Sequence, residues 1–243
     1  MIEISLVIPA HNETRLLPRL LDGIDEARRR FTAGADAIEV IVADNASTDD
    51  TAGIAASRGC AVVPVSKRLI AAARNGGAQI ARGRILGFVD ADMQIHPDSF
   101  NVIHGAMDRG DVVAGATGVQ LPRWSLGIGL TYAAFMPMVF LTGMDTGIVF
   151  CRREDFMAIG GYDERRELAE DVAFLWALRR LGRPRGQRLL RVKGAKAVVS
   201  LRKFDRHGDW HYFTKLLPQC LPSLFNPSRR VEFAARYWYG NDR

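Results

Sequence analysis

Two carboxylates one residue apart, Asp90 and Asp92, follow directly on the short apolar run 85–89. That run reads as a buried strand, which puts both carboxylates in the loop at its carboxyl end, where open α/β sheets keep their ligand crevice. Carboxylates spaced i, i+2 converge on one hard cation when the chain bends, and Gln94 adds a neutral oxygen two residues on. Mg2+ or Mn2+ suits such all-oxygen ligands. An isolated Asp-Ala-Asp run equally describes a solvated turn, so the rest of the chain has to decide between the two.

Two further polar clusters have the same setting. Pro9, Ala10, His11, Asn12 and Glu13 follow the apolar run 4–8, and Asp44, Asn45, Ala46, Ser47, Thr48, Asp49 and Asp50 follow the run 40–43. Small, polar and acidic residues after buried parallel strands supply acceptors for ribose hydroxyls and base N–H groups. Arg74, Asn75, Gly76 and Gly77 lie between these clusters and the Asp90 loop, and Glu170 with Asp171 opens a later amphipathic stretch. Taken singly, each cluster could be ordinary capping chemistry, and an acidic pair at a helix start complements the helix dipole.

The elements that must position these groups alternate as a βαβ series requires. Strand 4–8 ends at Pro9, and helix 14–31 follows with Leu16, Leu17, Leu20, Leu21 and Ile24 on one face and Asn12 as its cap. Strand 40–43 leads to a short helix capped by Ser47 or Thr48 and closed by Gly59. Strand 61–65, a helix over 69–82 stopped at Gly83, and the Asp90 strand come next. Pro97 then sits in the first turn of a helix ending near Gly110. Strands at 111–114, 147–151 and 197–201 and a helix over 168–181 stopped by Gly182 complete the reading. No repeat or low-complexity linker divides the chain. We expect an α/β fold in one domain over 1–215, then a basic, aromatic tail over 216–243 with Phe225, Phe233, Tyr237, Trp238 and Tyr239 among arginines.

With 48% hydrophobic residues in 243, the chain can bury one large core. Its three cysteines are odd in number and widely spaced, which suggests neither a disulfide framework nor a zinc site and fits a reducing cytoplasm. The apolar run before Pro9 is too short for a secretory signal. The net charge of +6 is uneven: residues 179–243 hold 16 Lys and Arg against 4 Asp and Glu, whereas the first 178 residues are net acidic. An anionic neighbour is implied, with nucleic acid, anionic lipid headgroups and a substrate diphosphate as candidates. Residues 124–144 carry no charge. They read as a membrane span, a buried core helix or an interfacial segment, and spanning is excluded if Asp92 shares a site with Glu170 and Asp171.

The ordered set of motifs resembles family 2 glycosyltransferases of the GT-A fold, over roughly residues 4–206. Gly160, Gly161, Tyr162, Asp163 and Glu164, followed by Glu170 and Asp171, match that family's acceptor-side motif. The resemblance implies a single domain with a central, mostly parallel nucleotide-binding sheet flanked by helices. It implies that Pro9, Ala10 and Glu13 line the ribose, Asp44 faces the base, Arg74 and Asn75 border the same pocket, and Asp90, Ala91 and Arg202 complete the donor set. Asp90 and Asp92 correspond to the DxD pair, with Asp92 the more direct metal ligand, and Gln94 is similar to the polyprenol or dolichol phosphate mannosyltransferase branch. Asp171 takes the role of base with Glu170 as its neighbour, and its place at a helix amino terminus should keep it ionised.

The chain departs from the family pattern at the Gln-x-x-Arg-Trp signature of processive synthases, where Ser200, Leu201, Arg202, Lys203, Phe204, Asp205, Arg206 and His207 stand instead. This is similar to non-processive members, in which the basic residues would contact the diphosphate. His207 either completes a metal shell or is a surface residue. Strand one leads into no G-x-G-x-x-G, which argues against a nicotinamide dehydrogenase, and the Gly-rich loop of sugar nucleotidyltransferases is absent too. The implied activity is inverting, Mn2+- or Mg2+-dependent transfer of one sugar from a UDP- or GDP-sugar to an acceptor, with no nucleic-acid partner. The acceptor is either lipid-linked, met by peripheral contact at the inner face of the cell membrane, or soluble. A non-catalytic sugar-nucleotide-binding protein of the same fold is the remaining alternative.

Overall fold

The computed structural model describes residues 1–142, 145–166 and 169–216. In chain order they form β1 (Ile4–Ala10), α1 (Leu17–Arg30), β2 (Ile38–Asp44), α2 (Thr51–Ser57), β3 (Ala61–Pro64), α3 (Ile70–Ile80), β4 (Ile85–Phe88), α4 (Ser99–Met107), β5 (Val112–Ala116) and β6 (Val119–Gln120). There follow α5 (Leu126–Thr142), β7 (Val149–Arg152), α6 (Arg153–Ala158), α7 (Glu170–Gly182), β8 (Arg188–Arg191), β9 (Ala197–Val198) and α8 (Arg202–His207). The chain makes two compact units, residues 1–120 with 143–199 and residues 121–142 with 200–243.

The first unit is built on a seven-stranded sheet ordered β3-β2-β1-β4-β7-β5-β8, in which only β7 runs antiparallel to its neighbours. All seven residues of β1 are buried, as a strand covered on both faces requires. Its alternate side chains divide the core. Ile4, Leu6 and Ile8 pack with Leu20 and Ile24 of α1 and Phe100 and Ile103 of α4, whereas Val7 packs with Ala71 and Ala78 of α3 and with the apolar side of α7. Gly77 lets α3 come this close, since a Cβ there would fall inside the contact radius of Val7 Cγ1. A short parallel pair, β6 with β9, and a bridge between Gln94 and Val198 extend the structure beside the Asp90 loop.

Several local expectations are corrected. Asn12 does not cap α1, whose N-cap position is Leu16, and neither Ser47 nor Thr48 caps α2, which starts after Asp50. Their polar atoms instead join one loop to another. Strands β6 and β8 and the six-residue α6 were not anticipated, and the expected strand 197–201 is the two-residue β9.

In the second unit, α5 is 17 residues long with Pro137 inside it, and among the described residues no helix is long and apolar enough to cross a membrane. Arg123 reaches Asp205 at 2.7 Å and Asp209 at 2.8 Å, tying the segment before α5 to α8 and the chain after it. The aromatic tail expected over 216–243 lies, beyond Leu216, outside the described residues, as do Gly143 and Met144.

Candidate active site

The carboxyl ends of β1, β2, β3 and β4 share one edge of the sheet, and the strand order reverses between β1 and β4, the position at which an open α/β sheet forms a ligand crevice. The loops leaving these ends are stitched together. Asn12, at φ 54°, accepts the Thr48 N–H at 2.7 Å and donates its own N–H to Ser47 Oγ at 3.0 Å. Asn45 donates to the Lys67 carbonyl at 2.6 Å, while its own carbonyl meets His11 Nδ1 at 2.8 Å. The Glu13 N–H donates to Thr51 Oγ1 at 2.8 Å. Pro9 and Ala10 pair in register with Ala43 and Asp44, Glu13 is buried, and half-buried Asp44 accepts the Ser47 N–H at 3.3 Å. The loops after β1 and β2 thus form one hydrogen-bonded rim.

Asp90, Ala91 and Asp92 continue from β4. The Met93 N–H donates to the Asp90 carbonyl at 3.1 Å, which bends the chain so that buried Ala91 sits between two half-exposed carboxylates. Gln94 is fixed through its backbone, which exchanges hydrogen bonds with Val198 at 3.0 and 2.8 Å.

Arg74 brings the site together. Its side chain is 5% exposed, on the inner face of α3, and its guanidinium reaches Asp90 Oδ1 at 3.0 Å, Glu170 Oε1 at 3.1 Å and Asp171 Oδ1 at 2.6 Å. It also lies 5.1 Å from the centroid of the Tyr162 ring. Residues 16 and 97 positions from Arg74 in the chain therefore meet on one planar fork, which suits Arg and not Lys.

Asn75, next along α3, fixes the Tyr162 segment. Its amide brackets Tyr162, accepting the backbone N–H at 2.8 Å and donating to the carbonyl at 2.9 Å, and it also donates to Glu164 at 3.0 Å. Gly161 makes this possible, because φ there is 75° and a Cβ would lie 2.7 Å from Asn75 Oδ1. Beneath the carboxylates, Tyr162 stacks on Phe174 with centroids 4.0 Å apart, and Phe88 and Phe156 close the cluster at 5.2 and 6.3 Å from Tyr162. This aromatic floor joins the end of β4 to α7. Only its Gly-Gly-Tyr segment was noticeable in the sequence.

Glu170 and Asp171 do occupy the first turn of α7. Other influences act on Asp171 beside the helix terminus: burial raises its pKa above the ordinary aspartate value, and the Asp90 charge adds to the rise. The Arg74 guanidinium pulls it back down. Glu170 is likewise raised by burial and by the charge of Asp171. Helix-dipole stabilisation is about 0.3–1 kcal/mol near the surface, too little to offset such burial without Arg74.

Among the described residues no group of three or more His, Cys, Asp or Glu side chains is arranged to hold a metal ion. The donor chemistry of the Asp90 loop nevertheless fits a hard divalent cation, with two carboxylates and a side-chain amide oxygen within five residues. Arg202 and His207 open and close α8 in the second unit, where His207 is exposed and its ring lies 5.8 Å from that of His211.

The model of glycosyl transferase family 2 matches residues 5–133, more than half of the chain, and the chain belongs to that family. An uncharacterised glycosyltransferase of Mycobacterium bovis is 31% identical over 113 residues, 46% of this chain and 47% of that protein. The chain thus matches about half the length of this curated relative. A mannosyltransferase from Pyrobaculum calidifontis, solved with GDP-Man and Mn2+, superposes with a TM-score of 0.64 at 20% identity, covering 81% of this chain and 56% of that one. Glucosyl-3-phosphoglycerate synthase from Mycobacterium tuberculosis, solved with Mn2+, UDP and phosphoglyceric acid, gives 0.60 at 22%, covering 94% and 78%. At these identities the two structures establish a shared GT-A fold.

Proposed function

We propose that this chain transfers a single sugar, with inversion, from a UDP- or GDP-sugar to an acceptor hydroxyl or phosphate. The observation that supports this reading is the convergence on buried Arg74 of Asp90, from the loop after β4, with Glu170 and Asp171, which open α7. The acceptor oxygen attacks the anomeric carbon, the bond to the diphosphate oxygen breaks with its electron pair, and Asp171 takes the acceptor's proton. Glu170 is its neighbour in the pair. The stitched rim from Pro9 to Asp44 holds the nucleoside.

The charge balance of the site favours a metal. Asp90, Glu170 and Asp171 present three carboxylates to one guanidinium, Asp92 adds a fourth, and an anionic diphosphate could not approach them unaided. Asp90, Asp92 and the Gln94 amide oxygen would hold Mn2+ or Mg2+. When bound, the ion neutralises charge growing on the departing diphosphate. The solved neighbours that hold GDP-Man, UDP and Mn2+ support this reading. Residues 124–144 and the basic carboxyl-terminal quarter favour a lipid-linked acceptor at a cytoplasmic membrane face over a soluble one.

Asp171→Asn tests the chemistry. Removing a general base costs about 10^2–10^4 in rate. We expect the variant to lose transfer by about that factor while UDP- or GDP-sugar still raises its melting temperature. Undiminished transfer would exclude Asp171 as the base, and donor binding without transfer by the unaltered chain, over a panel of lipid-linked and soluble acceptors, would favour a non-catalytic binding protein.

A further inference from the structure

We infer that the second unit lies on an anionic bilayer surface, docked through one face of α5 and two indoles beside it. This extends the reading of a lipid-linked acceptor by naming the surface that would meet the lipid, and it does not depend on the sugar chemistry. From Leu126 to Thr142 the helix has no charged side chain. Gly127, Ile128 and Thr131 are buried, whereas Leu126, Leu130, Ala133, Ala134 and Pro137 are exposed, a spacing that keeps them on one face. Leu126 is 72% exposed and Leu130 46%.

At the amino end of this stripe stand Trp124 and Trp210, 66% and 46% exposed. Neither is a loose surface side chain. The Trp124 ring meets Tyr132 edge-on at 5.8 Å, and Trp210 backs onto Gly127, where a Cβ would lie 3.2 Å from the indole and 2.6 Å from the Asp209 carbonyl. Indoles held at the end of an apolar stripe match the chemistry of the headgroup layer, which takes an apolar body and a polar N–H together. With no helix among the described residues able to span, the fitting geometry is a helix lying in the interface plane.

Charge selects the occupant. Residues 121–142 and 200–243 hold 9 Lys and Arg against 4 Asp and Glu, a net +5 of the chain's +6. Arg202, Lys203 and Arg206 of α8 belong to this excess. A second copy of the same face would bring like charges together, as would residues 217–243, which carry 4 Arg against 2 acidic residues. Anionic headgroups meet the unit with the opposite sign.

Vesicle co-sedimentation of the full chain, without any sugar donor, tests this. Vesicles of phosphatidylcholine with about 30% phosphatidylglycerol should retain the protein at low salt, pure phosphatidylcholine should retain much less, and 0.5 M NaCl should release it. Leu126→Glu with Leu130→Glu should weaken retention about tenfold or more, the effect of withdrawing roughly one apolar side chain from lipid, with unchanged melting temperature. Asp171→Asn should bind vesicles as the unaltered chain does, so that a failure of the transfer reading and a failure of docking are separable. Equal retention by the Leu126/Leu130 variant, no preference for anionic vesicles, or a dimer in sedimentation velocity that those substitutions dissolve would each overturn the inference.

Discussion

At the scale of single residues, Arg74 explains how carboxylates from distant parts of the chain stand together without repelling one another. A buried cation with three acidic partners is structural and electrostatic at once: it compensates desolvated charge and sets the protonation of the pair on α7. Removing one side of a buried ion pair costs about 3–5 kcal/mol, so Arg74→Met should lower unfolding free energy by about that amount in urea titration. Arg74→Lys keeps the charge but not the fork, and its effect should appear in the pH profile. Because burial raises the Asp171 pKa, the acid limb of kcat/KM should lie above the ordinary aspartate value of about 3.9. Arg74→Lys weakens the attraction that favours the ionised form, so the limb should move further toward neutral pH. A limb that stays in place would mean that Arg74 does not govern the base.

At the scale of elements, what was readable in advance depended on whether the signal was local. The 3.6-residue repeat of Leu17, Leu20, Leu21 and Ile24 and the buried runs of β1, β2 and β4 are local, and these elements fall close to where their patterns put them. The carboxylate loop followed from β4 in the same way. β8 reads Arg-Leu-Leu-Arg, too short and too charged to declare itself, and becomes a strand only by pairing with β5; the two-residue β6 is a strand through its pairing with β9. Asn12 and Ser47 have the chemistry of caps, but their best partners lie 35 or 36 residues away. For the same reason Arg74 and Asn75 could be recognised as a motif without their contacts being visible.

A second long-range cluster, at the opposite edge of the sheet, gives a stability prediction at this scale. Glu39 of β2 accepts hydrogen bonds from Ser5 of β1 and from the Arg82 backbone and side chain after α3, and these hold its pKa below the ordinary glutamate value despite the opposing effect of burial. A carboxyl depressed on folding contributes stability that is present above its unfolded pKa and is lost as pH falls through the folded one. Glu39→Gln should therefore be less stable by about 1–2 kcal/mol at pH 7, and the gap should close below about pH 4. A difference that persists unchanged at pH 3 would place the effect in packing.

At the scale of the whole molecule, net positive charge is divided unevenly between the two units. The unit that contains the sheet is close to neutral, with 24 Lys and Arg against 23 Asp and Glu, and its candidate site gathers three of those carboxylates, Asp90, Glu170 and Asp171, around Arg74. A nucleoside diphosphate offered alone therefore meets a locally repulsive site, whereas the same nucleotide offered with a divalent ion meets an attractive one. Donor and metal should then stabilise the fold together more than the sum of each alone. A ligand at 100 times its Kd adds about 2.7 kcal/mol, which for a chain of this size raises the melting temperature by about 5–10 °C. We expect that rise for one of UDP-sugar or GDP-sugar with Mn2+, a much smaller rise for the nucleotide with a chelator, and loss of the metal-dependent part in Asp92→Asn. The nucleotide that produces the shift identifies the base that the chain recognises. A rise that is the same with and without Mn2+ would remove the metal from the mechanism and leave Arg74 and the basic residues as the diphosphate's only counter-charge.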